Sequence, residues 1–161
     1  MFELSTKLAK LLQERGLTIS TAESCTGGLV AKTITDISGV SDVYYGSVVS
    51  YDNSIKENVL SVKRETLDTV GAVSYETACQ MASGVKALMK TDIGISTTGI
   101  AGPGGATPGK PVGTVYIGIA YKDKVEAYLL PIASTLSRDE IRHIATRMVL
   151  EEACKKIAEN Y

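Results

Sequence analysis

The sequence predicts a three-layer α/β/α sandwich with a mixed β-sheet. Segments with helical periodicity alternate along the chain with segments rich in β-branched residues, which is typical of a sheet covered by helices. Long crossovers separate the first strands, whereas a tight turn at 122–124 joins the last two as a hairpin. The chain of 161 residues has no internal repeat and no linker, so we expect a single domain over 1–161.

The first elements lie before residue 61. Leucines at helical spacing, followed by Gly16 as a helix-ending residue, predict a helix over 3–15. The segment LTISTA predicts the first strand, and apolar positions after the next glycines predict a second helix. Aromatic and β-branched residues at 44–51 predict a strand, and Asn53 is the predicted N-cap of a short helix through Leu60.

The remaining elements lie after residue 73. Ser74 is the predicted N-cap of a longer amphipathic helix. DIGISTTG predicts a strand that runs into a glycine-rich loop over 99–111, and GTVYIGIAY and KVEAYLLPI predict the hairpin strands. Ser137 and Glu140 stand at capping-box spacing and predict the start of the final helix.

Composition excludes several classes of protein. The 17 basic and 18 acidic residues nearly cancel, so the net charge indicates neither nucleic-acid binding nor a membrane surface. Cys25, Cys79 and Cys154 are far apart and lack CxxC spacing, which argues against a disulfide framework and a structural zinc site. Neither a signal peptide nor an apolar stretch of ~20 residues is present, so we expect a cytoplasmic protein.

The stretch TAESCTGG places small nucleophiles at a strand-to-helix turn. Such a turn would expose Ser24, and the amides of Thr26, Gly27 and Gly28 would point toward developing negative charge. The arrangement is similar to a nucleophile elbow, although the pattern GxSxG is absent. The alternative is that Ser24 or Thr26 only caps the helix that follows.

A nucleophilic serine needs a base, and the single histidine, His143, lies within the predicted last helix. This position disfavours a Ser-His-Asp arrangement and leaves a lysine that has lost its proton. Lys56 is the best-placed lysine, in the first turn of a helix after the strand that ends in Tyr51. Burial and the helix dipole would lower the pKa of Lys56 there, and Tyr51 is a candidate to relay the proton. The alternative is that Lys56 is a solvated surface residue.

A second glycine-rich stretch covers 96–114. Its GxxxxGK spacing suggests a nucleotide P-loop, but Pro111 stands where that motif has Ser or Thr, and a strand follows instead of a helix. The loop follows the carboxyl end of a strand, where α/β sheets place ligands, with Thr98 and Gly99 at its mouth. The alternative is a flexible loop without a ligand.

Two arginines stand at the start of the last helix. Arg138 is its first residue, where a guanidinium and the helix amides would jointly hold a phosphate. Arg142, one turn further on, is a second candidate for the same contact. Ordinary solvation of Arg138 is the alternative interpretation.

These pieces, in this order, resemble the C-terminal domain of the competence/damage-inducible protein CinA, whose stand-alone members are nicotinamide-nucleotide amidases. The matching stretches are TAESCTGG, YDNSIKENVL, GAVSYETACQMASG, STTGIAGPGG with KPVGTVYIG, and SRDEIRHIA. The resemblance covers nearly the whole chain and implies a serine amidohydrolase in pyridine nucleotide salvage and NAD metabolism. It implies Ser24 as nucleophile, Lys56 as base, Tyr51 as helper, and Thr98 and Arg138 in the substrate site.

The resemblance also implies no metal and no cofactor, a small pyridine nucleotide as partner, and a homo-oligomer.

Two features depart from the family. Leu136 and Ser137 stand where the family often has Gly-Asp before the arginine. The sequence begins without the frequent N-terminal molybdopterin-binding-like domain, so we expect none of that domain's separate hydrolase activity.

Two hypotheses follow for the function. The first is hydrolysis of the carboxamide of nicotinamide mononucleotide to nicotinate mononucleotide and ammonia. The alternative is a non-catalytic nucleotide-binding module of a competence or DNA-damage response. Both use the same loops and Arg138, but only the enzyme needs a desolvated Lys56 beside Ser24. Cys25 is expected to be a packing residue, because no cationic partner for a thiolate is visible.

Overall fold

Five strands form one mixed sheet in a computed structural model that describes residues 1–161. The strands are β1 (Ile19–Glu23), β2 (Tyr44–Val49), β3 (Ile93–Gly99), β4 (Val115–Tyr121) and β5 (Lys124–Leu129). Their order in the sheet is β2-β1-β3-β4-β5. Strand β1 pairs in parallel with β2 and β3, whereas β3, β4 and β5 pair antiparallel, which confirms the mixed sheet.

Six helices cover the two faces of the sheet. They are α1 (Phe2–Arg15), α2 (Leu29–Thr35), α3 (Asn53–Leu60), α4 (Arg64–Thr69), α5 (Tyr75–Met89) and α6 (Arg138–Asn160). The main core packs α1, α2 and α6 against the face that carries Ile93, Ile95, Ile117 and Ile119. Helices α3 and α5 pack against the opposite face. The three-layer α/β/α prediction is therefore confirmed.

The face under α5 is built from small residues, so the helix backbone lies very close to the sheet. Gly94 and Gly118 lie on this face, where an added Cβ would come within 2.2 and 2.3 Å of carbonyl oxygens of α5. Between them, the Ser96 hydroxyl donates a hydrogen bond to Ala78 of α5 at 2.7 Å. Alternation along β3 and β4 thus puts isoleucines on one face and small residues on the other.

Most boundaries agree with the sequence, and several expectations are corrected. The N-cap of α3 is Asp52, not Asn53, because Asp52 has an extended backbone and its carboxylate accepts from the Ser54 N–H at 2.8 Å. Strand β2 ends before residue 50, and β5 ends before Pro131, which has no N–H for a ladder. Helix α4 was not expected, since it buries none of its residues and so has no apolar stripe. The Ser74 cap and the Ser137–Glu140 capping box are confirmed.

Replacing Gly84 by alanine is expected to be strongly destabilising. An added Cβ would lie 1.9 Å from the carbonyl oxygen of Leu60, so α5 and α3 would have to move apart. Such overpacking against backbone costs about 3 kcal/mol or more, which chemical denaturation would measure. The exposed neighbour Ser83 provides the control, because Ser83→Ala should change the free energy of unfolding by less than about 0.5 kcal/mol. Equal stability of the two variants would contradict close packing of α3 on α5.

Candidate active site

Ser24 lies directly after β1, at the carboxyl edge of the parallel part of the sheet. Its N–H donates to the carbonyl of Thr97 in β3 at 2.9 Å, which anchors the residue to the neighbouring strand. The chain then turns through Gly27 and Gly28, whose φ angles of 58° and 99° fall in the left-handed region that favours glycine. These two glycines let the chain reverse within a few residues and enter α2.

Lys56 reaches Ser24 from α3. Its ammonium nitrogen Nζ lies 3.0 Å from Ser24 Oγ, and the predicted contact between the two residues is therefore present. The same nitrogen donates to the carbonyl oxygens of Ser50 at 2.7 Å and Tyr51 at 3.2 Å. The side chain is only 1% exposed, so Lys56 is not the solvated surface residue of the alternative interpretation.

The surroundings of Lys56 disfavour its charged form. Burial lowers the pKa of the Lys56 ammonium from its ordinary value of 10.5, and the carboxylate of Asp52 partly opposes this by favouring the cation. No carboxylate lies within ion-pair distance of Nζ, and its neighbours are two carbonyl oxygens and one hydroxyl. A neutral amine here can accept the proton of the Ser24 hydroxyl, which is the arrangement that a Ser-Lys nucleophile requires.

A cavity of about 210 Å³ opens in front of Ser24 and Lys56. Among the residues singled out from the sequence, it is lined by Tyr51, Thr98, Gly99 and Arg138 together with the Ser-Lys pair. The other residues of its wall are Cys25, Asn53, Ala72, Val73 and Ala101. The fold therefore brings residues from five separate segments of the chain to one small, partly apolar cavity.

Thr26 and Gly27 do not line this cavity, and the amides of Gly27 and Gly28 are bonded inside the protein instead of pointing toward a ligand as expected. The Thr26 hydroxyl is fully buried and bonds to a Glu23 carboxylate oxygen at 2.7 Å and to Thr97 at 2.6 Å. The Gly28 N–H donates to Glu23 at 3.0 Å, and the Gly27 N–H closes a turn onto Ser24 O at 3.1 Å. These N–H groups are already bonded inside the protein and do not point toward a ligand.

Arg138 and Tyr51 meet at the rim of the cavity. The guanidinium donates to the Gly102 carbonyl at 2.8 Å and to the Tyr51 hydroxyl at 3.1 Å. Tyr51 contacts Lys56 only through its carbonyl, while its ring is 63% exposed. The relay role suggested for the Tyr51 hydroxyl therefore has no geometric support, because that hydroxyl is directed toward Arg138 and away from the Ser-Lys pair.

A hydrogen bond to the backbone fixes the side chain of Thr98. Its hydroxyl donates to the Ala72 carbonyl at 2.7 Å, which connects β3 to the segment before α5. An added Cβ on the adjacent Gly99 would come within 2.6 Å of Val115, so only glycine allows this close approach. Both residues line the cavity in front of Ser24.

Two other candidates fall outside the catalytic machinery. Cys25 is buried, and burial raises the pKa of its thiol to about 12, which agrees with its prediction as a packing residue. His143 is exposed on α6, with Nδ1 at 2.8 Å from the Asp139 carbonyl, and it does not line the cavity. No group of three or more His, Cys, Asp or Glu side chains is placed to hold a metal ion. None of the helices combines the length and the apolar character needed to span a membrane.

Sequence reasoning missed Glu23 and the contacts of Arg142 with the Ser24 turn. The Glu23 carboxylate accepts hydrogen bonds from the Gly28 N–H at the end of the Ser24 turn and from the N–H groups of Val30 and Ala31 in α2. Arg142 donates to the carbonyls of Cys25 and Thr26 in the turn. The available signal was Glu23 itself, a charged residue in a strand whose every residue is buried. A charge at such a position needs several polar partners, and the polar residues and free amides that follow it in the chain are the nearest source of them.

Comparison with known proteins finds sequence relatives over most of the chain. Residues 1–157 match the CinA C-terminal domain. The chain is 50% identical over 140 residues to a CinA-like protein of Leptospira borgpetersenii serovar Hardjo-bovis, covering 85% of this chain and 34% of that protein. It is 54% identical over 140 residues to a protein of Caldanaerobacter subterraneus subsp. tengcongensis named as competence-damage inducible, covering 87% of this chain and 34% of that protein. The chain thus spans about a third of the length of these curated relatives.

Solved structures share the fold of this chain. The competence/damage inducible protein CihA from Agrobacterium tumefaciens superposes with a TM-score of 0.89 at 40% identity, covering 93% of this chain and 91% of that one. The competence damage-inducible protein A from Klebsiella pneumoniae superposes with a TM-score of 0.95 at 34% identity, covering 99% and 98%. On the evidence of its sequence match, its relatives and its fold, the chain belongs to the CinA C-terminal domain family.

Proposed function

We propose that this chain is a serine amidohydrolase that converts nicotinamide mononucleotide to nicotinate mononucleotide and ammonia. The observation that supports the proposal most directly is the 3.0 Å contact between Lys56 Nζ and Ser24 Oγ in a buried setting. A buried lysine without a carboxylate partner costs folding free energy, and a module that only binds nucleotides has no need for it. The contact therefore favours the catalytic hypothesis over the binding module.

The proposed reaction proceeds in two halves. Neutral Lys56 takes the proton of the Ser24 hydroxyl while Oγ bonds to the carboxamide carbon. The tetrahedral intermediate then collapses, the C–N bond breaks, and the proton passes from Lys56 to the leaving nitrogen, which departs as ammonia. Water next adds to the acyl-enzyme ester and gives a proton through Lys56 back to Ser24 Oγ, which releases the carboxylate product.

The developing oxyanion needs hydrogen-bond donors near Ser24. Since the amides of Gly27 and Gly28 are occupied, the N–H groups of Cys25 and Thr26 remain in this turn, and that of Cys25 is the first candidate donor. No backbone carbonyl accepts from it, and it belongs to the residue after the nucleophile, the position that supplies such a donor in nucleophile elbows.

The substrate phosphate would lie beyond Arg138. A second cavity, of about 380 Å³, shares Ala101 and Arg138 with the Ser24 cavity, so the two adjoin at the guanidinium. The nicotinamide ring would occupy the smaller cavity beside Ala72 and Val73, and the ribose phosphate would extend past Arg138. Within this proposal the partner is a small pyridine nucleotide, no cofactor takes part, and the chain acts in the cytoplasm as a homo-oligomer.

The direct test is release of ammonia from nicotinamide mononucleotide by the purified protein. Ammonia and nicotinate mononucleotide should appear in equal amounts, and the Ser24→Ala variant should form neither. Nicotinamide riboside and free nicotinamide serve as parallel substrates that lack the phosphate or the whole ribose phosphate. Tight binding of the nucleotide by wild-type protein without any ammonia would establish the binding module instead.

Arg138→Ala should weaken the reaction of the nucleotide far more than that of the nucleoside. A guanidinium-phosphate contact is worth roughly 1.5–3 kcal/mol, so kcat/KM for the mononucleotide should fall about 10- to 150-fold. The riboside has no phosphate, and its kcat/KM should change little. Arg138→Lys should recover only part of the loss, because a compact ammonium replaces a planar guanidinium that can form two parallel hydrogen bonds to the phosphate. Equal losses for both substrates would show that Arg138 supports the fold or the chemistry and not the phosphate.

A further inference from the structure

Glu23 is a fully buried carboxylate with no cationic partner. It is 0% exposed, and none of the ion pairs of the protein includes it. Its two oxygens instead accept hydrogen bonds from two hydroxyls and three backbone N–H groups. The donors are Thr26 Oγ1 at 2.7 Å, Gly28 N and Val30 N at 3.0 Å, Ala31 N at 2.8 Å and Ser47 Oγ at 3.3 Å.

Satisfying the first amides of α2 with a buried carboxylate costs desolvation free energy. The N-cap residue of α2 is Gly28, whose φ of 99° favours glycine and which has no side chain to accept from the first amides of the helix. Glu23 reaches the same amides from the end of β1, five to eight residues earlier in the chain. It therefore ties the end of β1 to the start of α2, and the segment between them is the turn that carries Ser24.

Arg142 holds the same turn from the other side. Its Nε donates to the Cys25 carbonyl at 3.2 Å and its Nη2 donates to the Thr26 carbonyl at 2.8 Å. The guanidinium forms no ion pair and does not line the cavity in front of Ser24. It lies one helical turn after Arg138 on α6, yet the two arginines have different partners.

We infer that Glu23 and Arg142 are positioning residues that hold the Ser24 turn from its two sides, Glu23 through N–H groups and Arg142 through carbonyls. The turn contains two adjacent glycines and would otherwise have considerable backbone freedom. Holding both sides keeps Ser24 Oγ within reach of Lys56 Nζ, and a misplacement of about 1 Å can cost 100-fold in rate. This inference rests on the proposed function in that Ser24 must be a nucleophile.

Matched substitutions along α6 separate this role from phosphate binding. Arg142→Met should lower kcat about 10- to 100-fold with KM changed less than about threefold, equally for mononucleotide and riboside. Arg142→Lys should recover part of kcat, because one ammonium can still donate to a carbonyl. Arg138→Met should instead act on the mononucleotide alone. Arg147, which only pairs with Glu151 at the surface, supplies the control, and Arg147→Met should leave both parameters unchanged.

A second readout does not depend on the substrate. A fluorophosphonate probe that labels active serines should modify Ser24, and the mass of the intact protein measures the extent of labelling over time. Arg142→Met should lower the rate of labelling by a factor similar to its loss in kcat. Glu23→Gln should slow the labelling too, because its amide places an N–H donor where the carboxylate accepts from the Ala31 N–H of α2. Thermal unfolding establishes that each variant is folded, and Arg142→Lys carries the test if Arg142→Met does not fold.

The outcomes distinguish the inference from the proposed function. If folded Arg142→Met and Glu23→Gln are labelled and turn over substrate at the wild-type rates, the inference is overturned and the proposed function stands. A loss with Arg142→Met that appears only in KM, or only with the mononucleotide, would assign Arg142 to the phosphate and also overturn it. A wild-type protein that is neither labelled at Ser24 nor active would overturn both.

Discussion

Replacing Ser24 by alanine is expected to lower kcat for amide hydrolysis by roughly 10⁴- to 10⁶-fold, the loss typical when the nucleophile of a coupled catalytic unit is removed. The reason is chemical, since no other group can form the acyl-enzyme. Cys25 is adjacent, but burial holds its thiol protonated by raising its pKa to about 12. Ammonia release under single-turnover conditions would measure the residual rate.

The control for Ser24→Ala is binding of the substrate. The change removes one oxygen at the edge of the cavity and leaves Arg138, Thr98 and the apolar wall in place, so the dissociation constant for nicotinamide mononucleotide should stay within about threefold. Calorimetric titration of the folded variant would measure it. A kcat of Ser24→Ala close to that of the wild type would exclude the Ser-Lys mechanism outright.

Lys56→Met is expected to be nearly inactive and at the same time more stable than the wild type. The base and proton donor disappear together, which should lower kcat by roughly 10³- to 10⁵-fold. Methionine has a similar length and no charge, and the residue at this position is only 1% exposed. The free-energy cost of desolvating an ammonium therefore no longer opposes folding. Activity assays and the unfolding midpoint, measured on the same preparation, check both parts.

The stability difference should depend on pH in a defined direction. The folded pKa of Lys56 lies below the ordinary 10.5, so between the folded pKa and 10.5 the unfolded chain binds more protons at this group than the native protein. Stability of the wild type relative to Lys56→Met should therefore rise as pH increases from the folded pKa toward 10.5. The acidic limb of kcat/KM should also lie below pH 10.5, because the neutral amine is the active form. A pH-independent difference would mean that Lys56 titrates as an ordinary lysine.

Local signals in the sequence were sufficient for most elements. The leucine spacing before Gly16, the Ser74 cap and the Ser137–Glu140 capping box depend on neighbours within a few residues, and all three agree with the structure. Helix α4 was missed because it lies on the surface without an apolar stripe. The N-cap of α3 was misplaced by one residue, since Asp52 and Asn53 have equal capping preference and only the backbone conformation decides between them.

By itself, the sequence determined the layer architecture, the position of Ser24 at a strand-to-helix turn, and Lys56 as the base most compatible with a chain that has a single histidine. Tertiary structure decided what each group faces. It placed Nζ of Lys56 3.0 Å from Ser24 across 32 residues of chain, and it directed the Tyr51 hydroxyl to Arg138 instead of the Ser-Lys pair. It also bonded the amides of Gly28, Val30 and Ala31, at the start of α2, to the buried Glu23. The physical reason is that periodicity and capping fix the path of the backbone locally, whereas the direction of a polar side chain depends on which donors and acceptors distant segments bring beside it.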